Sequence, residues 1–259
     1  MDQPRLLCLC PTYGRRPELL ENSIACFEAQ EYKNTALFIY DDLGNIRPQS
    51  GVGWVLESTT TRCSSMPDKY DKMVELCRRT HEFDAVVVFE DDDLYCPWHL
   101  SAIAAAFETG VQWCHPTYVW TTYKRPPFPE IEPSGGRFHA SLAISRQLLE
   151  SLGGWRGVQI PGHEKRADFD LRLIGTLTAR GGPPGRYDVR HPQGPSYVFR
   201  WGDTGHMHGE AITKGPDDET WYDRFQPAYA SPIERLAPHL DANAQQTLRD
   251  IYHRLEVEP

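Results

Sequence analysis

The chain has 259 residues, which is long enough to bury the core of one large α/β domain. Hydrophobic residues make up 40% of the sequence and aromatic residues 11%, and this composition excludes an intrinsically disordered chain. The formal net charge of −9 disfavours a protein that binds polyanions non-specifically, and no apolar run approaches the ~20 residues of a membrane-spanning helix.

The cysteines and the N-terminus indicate a cytoplasmic protein. The seven cysteines include no Cys-x-x-Cys pair with a matching second pair, and most of them lie in apolar stretches, as reduced core thiols do. This pattern disfavours a zinc site or a disulfide framework. A strand is predicted from Leu6 onward, which leaves no room for a signal peptide.

Strand and helix signals alternate through the first half of the chain. Short apolar runs predict the strands, and apolar residues at helical spacing predict the helices. In chain order we expect a strand at 6–10, a helix at 17–29, strands at 36–40 and 52–56, a helix at 67–79, a strand at 85–89 and a helix at 98–107. This alternation predicts a mainly parallel sheet with right-handed crossovers.

The second half has a less regular pattern. Residues 111–123 are rich in aromatic and β-branched side chains and predict a strand, whereas 126–136 contain four prolines and two glycines and predict a loop. Helices are expected at 145–152, 167–179 and 241–255, and a strand at 196–201. We expect one domain over 1–210, with its two halves at 1–110 and 111–210, and a helical C-terminal extension over 211–259.

An acidic run follows the apolar residues 85–89. Glu90, Asp91, Asp92 and Asp93 come directly after a run that is typical of a strand buried on both faces. Four adjacent carboxylates repel one another, so they favour a bound cation. A solvated acidic turn is the alternative, but the position after a buried strand favours a site.

Two other predicted strands also end in polar residues. The first is followed by Pro11-Thr12-Tyr13 and the second by Asp41-Asp42. Open α/β sheets bind their ligands at the carboxyl ends of parallel strands. We therefore expect all three strand ends to present their side chains at one edge of the sheet.

These motifs, in this order, resemble those of family 2 glycosyltransferases of the GT-A fold. The resemblance covers residues 5–180. It is carried by Pro11-Thr12-Tyr13-Gly14-Arg15, Asp41 or Asp42, Asp91-Asp92-Asp93, the segment 138–145, Gly153-Gly154-Trp155 and Ala167-Asp168-Phe169-Asp170-Leu171. It implies an α/β fold with a Rossmann-like, mainly parallel sheet flanked by helices, and transfer of a sugar from a nucleotide donor, with UDP-sugar favoured.

The resemblance also implies which residues bind the donor and the metal ion. The donor residues would be Pro11, Thr12, Tyr13, Arg15, Asp41, Asp42, Lys72, Asp91 and Asp92. Among these, Asp42, or else Asp41, would accept hydrogen bonds from the uracil or ribose. Arg15 and Lys72 would balance phosphate charge. Asp93, together with Asp91, would hold Mn²⁺ or Mg²⁺, since hard divalent cations prefer oxygen ligands.

Two histidines follow the predicted strand 196–201 in a glycine-bounded loop. In many enzymes of this fold a C-terminal histidine completes the metal sphere, so the resemblance implies that His208, or else His206, is a metal ligand. An imidazole ligand would shift the preference toward Mn²⁺. The alternative is that both are surface histidines without a ligand role.

An inverting transfer needs one base to take the proton of the acceptor hydroxyl. Asp168 aligns with the second acid of the family's Glu-Asp motif, and Asp170 is the substitute. The chain departs from that motif, because Ala167 occupies the Glu position and Glu164 lies nearby but displaced. The base and the inverting outcome therefore stay open, and Asp168 has a second explanation as an acid at a helix N-terminus.

Three other matters stay open from the sequence. Trp155 either stacks on the sugar of the donor or acceptor or fills the core. The acceptor is not indicated: a glycan, a lipid-linked sugar, a protein, a metabolite and a modified nucleobase all fit. A nucleotidyltransferase is disfavoured because the first turn lacks a glycine-rich phosphate loop. A metal-dependent phosphohydrolase of a nucleotide sugar and a non-catalytic nucleotide-sugar-binding module remain as alternatives.

Overall fold

The computed structural model describes residues 3–14, 17–121, 130–135, 138–158, 169–187 and 195–199. The strands are β1 (Leu6–Thr12), β2 (Thr35–Asp41), β3 (Gln49–Gly51), β4 (Trp54–Ser58), β5 (Ala85–Val88), β6 (Leu94–Tyr95), β7 (Trp113–Pro116), β8 (Tyr118–Thr121), β9 (Glu130–Pro133), β10 (Ala143–Ser145), β11 (Gly185–Tyr187) and β12 (Tyr197–Phe199). The helices are α1 (Pro17–Glu28), α2 (Met66–Cys77), α3 (His99–Glu108), α4 (Arg146–Leu152) and α5 (Phe169–Gly181).

An eight-stranded sheet forms the centre of the molecule, in the order β11-β7-β10-β5-β1-β2-β4-β3. Its middle strands β5, β1, β2 and β4 are all parallel, and Leu9 lies between Phe38 and Val88. The predicted α/β class and mainly parallel sheet core are confirmed. The three polar strand ends therefore lie at one edge, and Thr12 is in register with Asp41.

The parallel strands form because their apolar runs are buried on both faces. Every residue of β1 and of β5 is buried, and Cys8, Leu9 and Val87 have no measurable exposure. Burying each such aliphatic side chain is worth about 1.5–3 kcal/mol relative to leaving it in water. This core fixes the backbone from which the polar strand ends project.

The helix α2 begins where the sequence supplies a cap. The side chain of Ser65 accepts a hydrogen bond from the amide of Asp68, Pro67 lies in the first turn, and Asp68 places a negative charge there. Tyr70 and Met73 lie on its buried face. The capped start sets which residues of α2 face the sheet.

Two predictions of strand position need correction. Residues 111–123 do not form one strand, because the chain leaves the large sheet after Pro116 and enters a second sheet at Tyr118. Between them, the Thr117 carbonyl accepts from the amide of Ser134. The predicted strand 52–56 begins at Trp54 instead, because Gly53 adopts a left-handed φ of 77° in the turn after β3.

The segment 126–136, predicted as a loop, contains the strand β9. It pairs antiparallel with β8, and Ile131 lies opposite Trp120. Pro133 is the last residue of β9, which is an edge strand of its sheet, so its missing N–H leaves no ladder bond unmade. The proline and glycine content of 126–136 therefore gave a wrong prediction for residues 130–133.

The second sheet has the order β6-β12-β8-β9. Its strand β6 follows the acidic run directly, and β12 pairs with it antiparallel. This pairing brings a late segment of the chain to the acidic turn. The predicted helix 241–255 and the extension 211–259 lie outside the described residues. None of the described helices is long and apolar enough to cross a membrane.

Candidate active site

The acidic turn after β5 places three carboxylates close together. One carboxylate oxygen from each of Glu90, Asp92 and Asp93 lies within 4.8 Å of the other two. Asp92 and Asp93 are 7% and 1% exposed, and Glu90 is partly buried. Buried like charges at this spacing are costly unless a cation compensates them, and oxygen ligands of this kind suit Mn²⁺ or Mg²⁺. The donor set therefore fits a hard divalent ion.

Asp91 faces the end of β1 instead. Its Oδ2 accepts a hydrogen bond of 2.6 Å from the hydroxyl of Thr12, and the same hydroxyl accepts from the amide of Gly14 at 3.1 Å. Two of the predicted donor residues are thus in direct contact. Of the four acids in the turn, Asp91 therefore contacts the end of β1, whereas the other three form the cluster.

Asp42 forms a buried ion pair with Lys69 of α2. The Nζ–Oδ1 distance is 2.6 Å and both side chains are 1% exposed. The same ammonium donates to the carbonyl of Thr12 at 2.6 Å and lies 4.2 Å from the centre of the Tyr13 ring. Oδ2 of Asp42 accepts from the amide of Cys63. One buried cation therefore ties the end of β2 to the end of β1.

Asp41 is held by the loop that follows it and by the end of β4. It is fully buried, and its carboxylate accepts hydrogen bonds from the amides of Leu43 and Ile46 and from the hydroxyl of Ser58. A carboxylate with two local amide donors and a third donor on β4 organises the turn after β2. Of the two acids proposed to contact a nucleotide, Asp42 is the one linked through Lys69 to the end of β1, whereas Asp41 is linked to the end of β4.

Tyr13 lies half-buried beside this pair. Its hydroxyl contacts the sulfur of Met66 at 3.2 Å, and its carbonyl accepts from the Asn45 side chain at 2.7 Å. Gly14 follows with a φ of 60°, and a β-carbon there would lie 2.5 Å from Ile46. The loops after β1 and β2 therefore interlock, and only glycine fits at this crossing.

Glu90 is held by two donors. The hydroxyl of Tyr70 donates to Oε1 at 2.7 Å, and Nδ1 of His139 lies 3.1 Å from the same oxygen. The indole N–H of Trp155 points at Nε2 of His139 at 3.2 Å. Since indole can only donate, Nε2 accepts, and the neutral His139 ring carries its proton on Nδ1 and donates it to Glu90.

Trp155 is a buried part of this network. It has no measurable exposure, and its ring stacks on Tyr70 at 4.9 Å between centroids. The structure therefore places Trp155 in the core, which is one of the two positions that the sequence left open for it. Its contribution to the site is through His139.

The Gly153-Gly154-Trp155 turn is fixed to α2. Gly153 ends α4 in a left-handed conformation, and Gly154 has a φ of 79°. The carboxylate of Asp71 accepts from the amides of Trp155 and Arg156, and a β-carbon on Gly154 would lie 2.2 Å from Asp71 Oδ1. The turn that precedes the predicted base is therefore locked against the helix that carries Lys69.

Asp93 is contacted from β12. The hydroxyl of Tyr197 donates to Oδ2 of Asp93 at 2.5 Å. Burial, followed by the charge of Asp93, raises the pKa of Tyr197 well above its usual value, so the phenol keeps its proton. Tyr70 has its pKa raised in the same way, by burial and then by Glu90.

The remaining predicted site residues either fall outside the described part of the chain or have other surroundings. Arg15, Asp168, His206 and His208 lie outside the described residues, and Asp170 falls in α5 without a described side chain. Lys72 is 41% exposed and its ammonium pairs with Glu75 at 3.1 Å. Pro11 is buried within β1, in register with Tyr40.

The sequence did not predict the residues that hold the carboxylates, which are Lys69, Tyr70, His139 and Tyr197. Of the three acids in the cluster, only Asp93 was predicted as a metal ligand, whereas Asp92 was predicted to bind the donor and Glu90 was not assigned as a ligand. Asp91, the other predicted acidic ligand, contacts Thr12. A signal existed for Lys69, because it lies four residues before Met73 on the buried face of α2. Glu90 adjoins the acidic run directly. His139 lies in the segment 138–145 that carries the resemblance but was given no role, and Tyr197 is remote in sequence and gave no signal.

Of the known proteins, only solved structures are similar to this chain. No protein-family model matches the sequence, and no curated protein matches it. Solved structures of S. aureus TarS have a similar fold. TarS 1-349 in complex with UDP-GlcNAc gives a TM-score of 0.53 at 14% identity, over 96% of this chain and 72% of that one.

Two further structures of TarS 1-349 agree with this match. They give TM-scores of 0.50 and 0.51 at 13% identity over 76% of this chain, and one is a complex with UDP. The present chain spans 60% of the length of those two structures. TarS is a GT-A-type, family 2-like glycosyltransferase.

The protein has a GT-A fold. The expected α/β fold class is thereby confirmed, and with it the resemblance at the level of fold. In this GT-A domain the acidic cluster lies at the carboxyl edge of the parallel strands, where the sequence predicted it.

Proposed function

We propose that the protein is a metal-dependent glycosyltransferase that moves a sugar from a UDP-sugar to an acceptor hydroxyl with inversion. The observation that carries this proposal is the buried cluster of Glu90, Asp92 and Asp93 at the carboxyl edge of a GT-A sheet. The complexes of TarS with UDP and UDP-GlcNAc support the choice of donor.

The donor side of the proposed site is formed by the ends of β1 and β2. Asp42 is proposed to face the uracil or ribose, with Thr12, Tyr13 and Asp91 beside it, and Arg15 to balance phosphate charge. The contacts of Thr12 with Asp91, and of Lys69 with Asp42, support this grouping because they hold the three strand ends together. Preformed geometry of this kind lowers the cost of binding a nucleotide.

Asp93 and its neighbours Glu90 and Asp92 are the proposed ligands of Mn²⁺ or Mg²⁺, with His208, or else His206, as a further ligand. When bound, the divalent cation would offset the negative charge of the departing diphosphate. The carboxylate chemistry and the 4.8 Å spacing support this assignment.

Asp168 is the proposed general base, with Asp170 as the substitute. In the transfer, the acceptor oxygen forms a bond to the anomeric carbon while the bond from that carbon to the diphosphate breaks. The proton of the acceptor hydroxyl passes to the Asp168 carboxylate. A positioned base of this kind contributes about 10²–10⁴-fold to the rate.

The deciding experiment measures UDP release from a panel of UDP-sugars, with a mixture of glycan and small-molecule acceptors, in Mn²⁺ and in EDTA. We expect release that requires both the metal and an acceptor, and that is lost in Asp93→Asn. Glu75→Gln is the matched control, because Glu75 is an exposed acid paired with Lys72. The anomeric configuration of the product, read by NMR, tests inversion.

Each alternative has its own outcome in the same assay. Rapid breakdown of the UDP-sugar to UMP and sugar 1-phosphate without any acceptor, unchanged when acceptors are added, would identify a phosphohydrolase. Binding of UDP-sugar without turnover under every condition would identify a binding module. Asp168→Asn tests the base, and the expected result is a drop of about 10²–10⁴-fold in turnover with UDP binding retained.

A further inference from the structure

The strand β12 places a phenol against the metal cluster from a distant part of the chain. Tyr197 lies 104 residues after Asp93, and its hydroxyl donates to Asp93 Oδ2 at 2.5 Å. Tyr197 is fully buried and Asp93 is 1% exposed. The contact is therefore made away from bulk water, where a hydrogen bond to a carboxylate is strongest.

The backbone around Tyr197 is fixed by its neighbours. Tyr197 pairs with Tyr95 of β6, and Tyr95 lies only two residues after Asp93. The carbonyl of Ser196 accepts from the amide of Cys96 at 2.8 Å, and the Ser196 hydroxyl bonds Nδ1 of His99 at 3.0 Å. These contacts hold the backbone that carries the phenol, and they come from residues outside the acidic turn, so the phenol offers Asp93 a donor at a defined position.

We propose that Tyr197 is a positioning residue for the metal site: its hydroxyl holds one oxygen of Asp93 and thereby orients the carboxylate for the divalent cation. This inference rests on the proposed function, since it assigns Asp93 as a ligand. Outer-shell donors to ligating groups change metal affinity by about 10–100-fold when removed. The role of Tyr197 acts through Asp93 and requires no contact with the cation.

Tyr187 provides a matched comparison within the same cluster. It is also buried, its hydroxyl donates to the carbonyl of Ser141 at 2.5 Å, and its ring packs on His99 as that of Tyr197 does. The two phenols differ in their acceptors: Tyr187 donates to the backbone carbonyl of Ser141, whereas Tyr197 donates to Asp93, a proposed metal ligand. If Tyr197 only stabilised the fold, removing the hydroxyl of Tyr197 or of Tyr187 would have the same effect on Mn²⁺ binding.

The test compares Tyr197→Phe with Tyr187→Phe. Calorimetry measures Mn²⁺ binding to each folded protein in saturating UDP, and UDP binding in EDTA is measured in parallel. We expect Tyr197→Phe to weaken Mn²⁺ binding by about 10–100-fold and Tyr187→Phe to change it by less than about twofold. UDP binding in EDTA should be equal in all three proteins.

Equal Mn²⁺ affinity in wild type and Tyr197→Phe would overturn the positioning role while leaving the proposed function intact. A wild-type protein that binds no Mn²⁺ with UDP would overturn both. Should Tyr197→Phe not fold, 3-fluorotyrosine at position 197 supplies the second measurement. Its ¹⁹F resonance should shift when Mg²⁺ and UDP are added, while one at position 187 should not, and no shift at 197 would reject the proposal.

Discussion

The hydroxyl of Thr12 donates a 2.6 Å hydrogen bond to Asp91, which joins two strand ends that are 79 residues apart. Thr12 is the last residue of β1 and is buried. The same oxygen accepts from the amide of Gly14, so a single hydroxyl shapes the β1 turn and holds the acidic turn. Neighbouring parallel strands make this contact possible, because their carboxyl ends meet.

Thr12→Val should weaken UDP binding by about tenfold, because a lost hydrogen bond to a charged group costs about 1.5–3 kcal/mol. Valine keeps the shape of threonine and removes only the hydroxyl. Thr12→Ser is the control and should bind UDP like wild type, since the hydroxyl remains. Calorimetric titration with UDP and Mn²⁺ measures both. Equal weakening in the two variants would show that the methyl group, not the hydroxyl, matters.

Lys69→Met should destabilise the protein by about 3–5 kcal/mol, because it leaves Asp42 buried without a counter-charge. The double variant Lys69→Met/Asp42→Asn should recover part of this loss, since the uncompensated charge is gone. Urea unfolding of the two single variants and the double variant measures the coupling free energy.

Lys72→Met is the control for this cycle. Lys72 pairs with Glu75 on the surface of the same helix, so its loss should cost less than about 1 kcal/mol. If Lys69→Met is no more destabilised than Lys72→Met, the ion pair with Asp42 does not stabilise the fold.

Replacing Gly154 by alanine should destabilise the protein more than replacing the adjacent Gly153. Both have φ values above 70°, so each substitution incurs about 1–2 kcal/mol of backbone strain. Alanine at Gly154 also collides with Asp71 Oδ1, whereas alanine at Gly153 finds its nearest atom at 3.9 Å. Gly154→Ala should therefore lose at least about 2 kcal/mol more in urea unfolding than Gly153→Ala. Similar losses would contradict the close approach of Asp71.

The sheet core could be predicted because its signal is local. A strand buried on both faces needs an uninterrupted apolar run, and β1, β2 and β5 each have one. The division at Thr117 could not be predicted, since the residues on both sides favour strand and the change of sheet depends on tertiary pairing. For the same reason β9 was hidden within a proline-rich segment.

The acids of the site were predictable, whereas the groups that hold them were not. Acids after an apolar run are visible in the sequence, and the parallel topology brings them to one edge. The contact of Tyr197 with Asp93 spans 104 residues and has no periodicity, so it emerges only from the pairing of β12 with β6. Lys69 was partly predictable, because a lysine on the buried face of a helix is a local signal.

His99 should make the protein less stable as the pH falls from 7.5 to 5.0. Its ring is fully buried among Tyr95, Tyr187 and Tyr197, and burial lowers its pKa from 6.5 to about 3. The unfolded chain takes up a proton near pH 6.5 and the folded protein does not, so unfolding is favoured below that pH. The expected loss in the free energy of unfolding is about 2 kcal/mol over this range.

His99→Phe should remove this 2 kcal/mol share from the pH dependence, whatever its effect on stability at pH 7.5. Tyr187→Phe is the control and should keep the full dependence, because it alters the same cluster without removing the histidine. His115, whose pKa burial lowers to about 4, contributes a loss of its own that remains in both variants. Urea unfolding at pH 7.5, 6.0 and 5.0 measures the slopes. An identical slope in His99→Phe and wild type would show that His99 gains its proton in the folded protein as readily as in the unfolded chain.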